Sequence, residues 1–229
     1  MTMTTQHTLR VMPREMRLMA ERVLSLTTMP KGFVMMAVDI VMYSELLDLG
    51  GFAMLERRLD TLKSGNPSRL SLSDDGVTLD AGGEHAWVAV LSLIDLLGLA
   101  AHRDGKATLT VENVLDPEEL GLIEGFGRRN GVEVTIAGTT LTATPSAPAD
   151  PVLETAMQFG RSIAADQWWR IYDLAQSALT PDSAVSRRHA GPVIVTEDGK
   201  VIGRTDNDDD TDVSFIGSVE TKTTEGQSA

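Results

Sequence analysis

The sequence predicts a mixed α/β (α+β) protein in which an N-terminal helical layer packs on a small mixed sheet. Three observations carry this. Residues 13–63 read as three consecutive helices. From residue 76, short β-branched runs alternate with helical stretches in the order β-α-β-α-β-β. Over 229 residues, 42% are apolar and 23% charged, enough for a core that needs no covalent staple.

The elements follow in order. Residues 13–27 form an amphipathic helix: Pro13 suits a first turn, and Met16, Met19, Ala20, Val23 and Leu24 recur at helical spacing. Met29-Pro30-Lys31-Gly32 breaks the chain. Residues 33–48 are apolar nearly all round, which predicts burial on most sides. Gly50-Gly51 punctuates, and residues 52–63 give a third helix with Leu55, Leu59 and Leu62 on one stripe. Residues 76–80 predict a strand, 84–102 a strongly apolar helix and 107–111 a β-branched strand. Asp116 reads as an N-cap, with Pro117 at the first position and Glu119 at N3, for a helix that runs to Asn130-Gly131. Residues 132–136 and 139–143 predict a hairpin around Ala137-Gly138. Residues 152–163 and 166–179 read as two more helices, the second carrying Trp168, Trp169 and Tyr172. Residues 192–196 predict a strand, with Val201-Ile202 pairing back. The domain reading is therefore a tail over 1–12, a helical layer over 13–65, an α/β core over 66–204 with its helical segment 152–179, and an acidic, disordered tail over 205–229.

Composition excludes several chemistries. There is no cysteine, so disulfides, thiol nucleophiles, Cys-ligated zinc and Fe–S clusters are absent. A net charge of −13 argues against partnership with nucleic acid or with an anionic membrane surface. The charge is uneven: residues 1–65 carry 8 basic and 7 acidic groups, and residues 66–200 carry 10 and 19. Ten of the 11 methionines lie between Met1 and Met54; Met12, Met16, Met19, Met35, Met36 and Met42 are expected to fill an irregular helical core. Residues 1–10 lack the apolar stretch of a signal peptide, and the apolar run 33–42 is too short to cross a bilayer, so a cytoplasmic location is expected.

Candidate chemistry is sparse. The four histidines, His7, His85, His102 and His189, show no zinc spacing, and the expected metal set is none. His85 sits beside Gly82-Gly83-Glu84 at a strand-to-helix turn, the best-placed of the four for a ligand. Arg187 and Arg188 form a basic island suited to a carboxylate or phosphate. The acidic run 206–212 fails the EF-hand spacing, with Thr211 where a glycine is required and Gly217 where a glutamate is required. The run Asp80-Ala-Gly-Gly83 resembles a phosphate turn, but Glu84 and Asp80 would repel an anion there. No G-x-S-x-G or S-x-x-K motif is present.

Two stretches carry a family resemblance. The helix 52–63 closes at Ser64-Gly65, followed by a strand with Asp-Ala-Gly-Gly, a long helix, a strand ending near Asn113, and a helix ending in a glycine before a strand. Over residues 14–140 this order resembles the N-terminal half of the second type of malate/L-lactate dehydrogenases, NAD(P)-dependent reductases of 2-oxo acids and cyclic imines that do not use the Rossmann fold. The resemblance implies a catalytic histidine at the position of Gly50, within Leu49-Gly50-Gly51, where glycine cannot transfer a proton. A second family signature falls on Asn113-Val-Leu-Asp116-Pro117-Glu118, where Asn113 matches and Asp116 replaces a histidine. The family's cofactor glycines fall on Glu84-His85-Ala86-Trp87. The C-terminal pattern Ser183-x-x-Ser186-Arg187, Gly191, Thr205-Asp-Asn-Asp208 resembles a bacterial family of similar size without an established activity.

Three functions are expected in turn. The first is a non-catalytic binding or partner protein on a dehydrogenase-like scaffold, a pseudoenzyme without a cofactor that assembles as a homo-oligomer, expected to be a dimer. The second is an NAD- or NADP-dependent reductase with altered catalytic residues. The third is a regulatory subunit of an active homologue. His85, Asn113, Asp116, Arg187 and Arg188 are the ligand candidates, and no catalytic residue is expected.

Overall fold

A computed structural model describes residues 7–179, 193–195 and 201–203. The chain divides into two compact units, Met1–Leu179 and Thr180–Ala229.

Three consecutive helices lie near the start of the first unit, as the spacing predicts. α1 (Pro13–Leu24) starts on Pro13, and Glu15 reaches back to accept the Met12 N–H at 2.9 Å. Its Met16, Met19, Ala20, Val23 and Leu24 are buried. α2 (Lys31–Leu46) starts after Pro30 and α3 (Gly51–Lys63) after Gly50. The buried Glu45 carboxylate of α2 accepts the Phe52 N–H at 3.1 Å, so one helix caps the next. Burial pushes the Glu45 pKa up.

Gly51 explains the Gly-Gly pair. A Cβ there would meet the Val41 carbonyl oxygen and stand 2.7 Å from the Glu45 backbone nitrogen, and backbone atoms cannot swing aside. Gly50, at φ 76°, has open space around it. Gly51→Ala is therefore expected to cost about 3 kcal/mol and to lower Tm by roughly 6–12 °C. Gly50→Ala should cost only the left-handed strain, about 1–2 kcal/mol. Thermal melts of the two variants decide it; a Gly51→Ala melt matching the parent would refute the close approach.

The methionine expectation divides. Met16, Met19 and Met42 are buried, whereas Met35 and Met36 are each 51% exposed. Both lie on the exposed face of α2.

The main sheet has five strands in the order β2-β3-β4-β6-β5: β2 (Ser71–Leu72), β3 (Thr78–Asp80), β4 (Ala107–Glu112), β5 (Val132–Ala137) and β6 (Thr140–Pro145). β3 and β4 are parallel, and the remaining pairs are antiparallel. β5 and β6 form the expected hairpin. The crossover between the parallel strands is α4 (Ala86–Asp104), which ends on Gly105 at φ 79°. α4 has the length and composition of a membrane span, with half of its apolar window buried. Trp87, Val90, Ile94, Leu97 and Ala101 form the buried stripe, and Leu99 is exposed.

Three local expectations are corrected. Thr8–Val11, inside the expected tail, is a strand (β1) paired antiparallel with β7 (Arg161–Ala164). The expected helix 152–163 is α6 (Pro151–Phe159) followed by that strand, because Gly160 stops the helix at φ 63°. Its N-cap is Asp150, which accepts the Leu153 N–H at 3.0 Å and the Tyr43 hydroxyl. The third correction concerns Asp116. The helix α5 (Leu122–Arg129) starts six residues later, after a 3-10 turn over Pro117–Gly121. Asp116 stands at the N-cap position of that 3-10 turn, but at φ 53° it makes no side-chain capping bond, and its carboxylate is held by Arg58 instead. Glu119, expected at N3 of the helix, lies within the 3-10 turn and is buried.

α7 (Ala165–Gln176) resolves the aromatic cluster. Trp168 is core, edge-on to Phe52 with centroids 5.6 Å apart, whereas Trp169 and Tyr172 lie on the exposed side. In the second unit, β8 (Val193–Val195) pairs antiparallel with β9 (Val201–Gly203), as expected. The basic island, the acidic run 206–212 and the expected tail lie outside the described residues.

Candidate functional site

Open α/β sheets bind ligands beyond the carboxyl ends of their parallel strands. Here those ends are Asp80 of β3 and Glu112 of β4. The two following loops stay paired: Ala81 N–H donates to the Glu112 carbonyl at 2.8 Å, Gly83 N–H to Asn113 at 2.8 Å and Leu115 N–H to Glu84 at 2.9 Å. Asn113 at φ 50° and Asp116 at φ 53° allow this path.

On the rim, Asp80 accepts the Gly82 N–H at 2.8 Å and the Asn113 side-chain amide at 3.0 Å. Those two bonds hold the Asp80 carboxyl below its ordinary pKa. Asn113 is thereby engaged, though exposed. Glu84 is buried against Arg69 at 3.0 Å. No donor is left facing outward from Asp80-Ala-Gly-Gly83 to make it a phosphate turn.

Beneath the rim lies a buried polar cluster. His85 is the N-cap of α4, and its Nδ1 accepts the Trp87 N–H at 3.1 Å. The proton of the neutral ring is therefore on Nε2, which faces Asp116 Oδ2 at 3.4 Å without an aligned hydrogen bond. Asp116 Oδ1 takes Arg58 Nη2 of α3 at 2.7 Å. The His85 pKa is lowered to about 4, first by burial and then by Arg58 and Arg57, against the pull of Asp116. His85 is 1% exposed and Asp116 7%. Glu119, at 1% exposure, accepts Ser44 Oγ at 2.7 Å and Trp87 Nε1 at 2.8 Å on one oxygen. Burial raises its pKa against those two bonds. The His85 and Trp87 rings meet edge to face at 4.9 Å.

Of the residues picked from sequence, His85 and Asp116 come together, and Asn113 stands above them on the rim. Arg187 and Arg188 lie outside the described residues. Arg58, Glu119 and Ser44 escaped sequence reasoning. Arg58 is adjacent to the buried Leu55/Leu59/Leu62 stripe, which marks it as half-buried, but its partner is 58 residues away. Trp87 carried a usable signal, because a buried indole N–H requires an acceptor. Among the described residues no group of His, Asp and Glu is arranged to hold a metal ion.

Fold and cluster together define a mixed α/β protein with a polar lock at its parallel strand ends. No family model matches the chain, and none of the curated proteins does. Among solved structures the chain is similar to the malate dehydrogenase of Pyrococcus horikoshii OT3, at 12% identity over 75% of this chain and 66% of that one, with a TM-score of 0.44. It is also similar to the malate dehydrogenase of Entamoeba histolytica, at 14% identity over 86% and 59%, with a TM-score of 0.43. The chain thus spans less than two thirds of the length of either structure.

Proposed function

We propose that this chain is a non-catalytic binding or partner protein on a dehydrogenase-like α/β scaffold. One observation carries the reading: the acid/base groups at the strand ends are committed to one another. A general acid or base must reach its substrate. His85 is 1% exposed, with Nδ1 taken by a backbone N–H and Nε2 turned to Asp116. Asp116 is in turn held by Arg58.

The alternative, an NAD(P)-dependent reductase, meets an obstacle at the same place. The resemblance puts the cofactor glycines on residues 84–87. There Glu84 is buried against Arg69, and Trp87 is 2% exposed with its indole on Glu119. These side chains do not fit a nucleotide. The proposed partners are a second copy of the chain or an active enzyme subunit, with no nucleic acid or membrane, in the cytoplasm. A net charge of −13 supports the exclusions, and the exposed Met35 and Met36 support a protein partner.

The test is a thermal melt with NADH and with NADPH, beside a turnover assay on small 2-oxo acids and cyclic imines. A bound cofactor at ~100 times its Kd adds ~2.7 kcal/mol, a rise of about 5–10 °C. No shift and no turnover is expected. A shift with either nucleotide, or oxidation of NADH, would overturn the reading in favour of the reductase. Co-purification with a larger enzyme would identify the regulatory subunit.

A further inference from the structure

α1 and α2 leave a groove between them that helix packing does not require. Leu18 lies off the buried stripe of α1 yet is only 41% exposed, and Met35 of α2 is 51% exposed. Between these two lips the floor is apolar and deep, with Met29 at 7% and Val34 at 5% exposure. The cavity measures about 370 Å³, inside the roughly 300–1,000 Å³ range of small-molecule sites. Ala178 and Leu179 also line it. Methionine and leucine lips adapt to a flexible apolar occupant.

The rim carries charge of one prevailing sign. Arg22 and Lys31 both line the groove, with Glu21 as the single acid beside them. Neither Arg22 nor Lys31 has an ionic partner among the described residues, although Arg17 and Arg129 are both engaged by Asp39, at 2.7 and 2.6 Å. In a chain of net charge −13, two cations above an apolar cleft, without an ionic partner among the described residues, are complementary to an anionic head group on an apolar tail. A neutral occupant would bury their hydration without replacing it.

We propose that the α1/α2 groove binds a free amphipathic carboxylate, its apolar tail between Leu18 and Met35 over Met29 and Val34, its head group at Arg22 and Lys31. The groove shares no residue with the strand-end cluster that carries the functional reading above, and meets that reading only at Met35, on the face named there for a protein partner.

The experiment is calorimetric titration of the full chain with dodecanoate below its micelle concentration, with dodecanol as the uncharged control. One saturable site is expected, at least tenfold weaker for dodecanol. Arg22→Gln with Lys31→Gln should weaken dodecanoate at least tenfold and leave dodecanol unchanged. Met35→Asp, at an exposed position that leaves the core intact, should abolish both. Melts of each variant confirm the fold. Absence of a saturable site, equal affinity for acid and alcohol, or undiminished binding to Met35→Asp overturns the proposal. So does a dimer in sedimentation that Met35→Asp splits while dodecanoate fails to bind, which makes the face a contact between copies.

Discussion

Acidification from pH 7 to pH 4 is expected to erase about 3 kcal/mol of the stability that His85 contributes. Its folded pKa is about 4 against an ordinary value of 6.5. Between those values the unfolded chain binds a proton that the native chain does not, so native stability falls as pH falls through that window. The difference of about 2.5 units corresponds to roughly 3 kcal/mol. Two carboxyls oppose it. Glu45 and Glu119 have raised folded pKa values. Their contribution is fully present below the ordinary carboxylate range and is lost as pH rises through the raised value, so acidification restores what they lose at neutral pH. The parent profile is the sum of these terms. His85→Asn separates them, because asparagine still accepts the Trp87 N–H as an N-cap but does not titrate. Urea midpoints of parent and variant at pH 7, 6, 5 and 4 give the difference directly, and self-repulsion of the acidic chain cancels between them. That difference should shrink by about 3 kcal/mol over the window. A difference independent of pH would mean that His85 is not held neutral.

Glu119→Ala is expected to be the most damaging single truncation in the cluster. It strands the Ser44 hydroxyl and the Trp87 indole N–H, both in a buried site. Each unsatisfied buried donor costs about 1–3 kcal/mol, so the loss is roughly 2–6 kcal/mol and Tm falls by about 5–20 °C. Ser44→Ala removes one donor and leaves the Trp87 bond in place, so it should cost less than half as much. Glu119→Gln reports the protonation state. It costs little where Glu119 is neutral, and more where the two bonds are charge-assisted. A Glu119→Ala melt within 2 °C (about 1 kcal/mol) of the parent would refute the network.

The fold was legible because its elements are written in local patterns. α1 and α3 follow from a 3.6-residue apolar period, α4 from a long apolar run, and β4, β5 and β6 from β-branched runs, the last two around Ala137-Gly138. The misses have local causes too. β1 is four residues with one buried side chain, Val11, too short to show alternation without β7 beside it. Gly160 reads as a helical interruption only once its φ of 63° is seen. The cluster was half legible. His85 stood out by its place before a helix, and Asp116 by the resemblance.

What the sequence determined by itself is what can be read within one turn of chain: the helical layer, the β-α-β-α-β-β order, the absence of cysteine chemistry and the acidic charge. The tertiary structure alone decided who meets whom. Arg58 reaches Asp116 across 58 residues and Ser44 reaches Glu119 across 75. Neither pairing leaves a mark on local periodicity, because a charged residue at the edge of an apolar stripe has the same spacing whether it faces water or a partner. Burial, which only the packed chain supplies, turns His85 from a titrating surface group into a fixed neutral one. The same packing leaves one side of α2 uncovered, which the even distribution of apolar residues along that helix could not show.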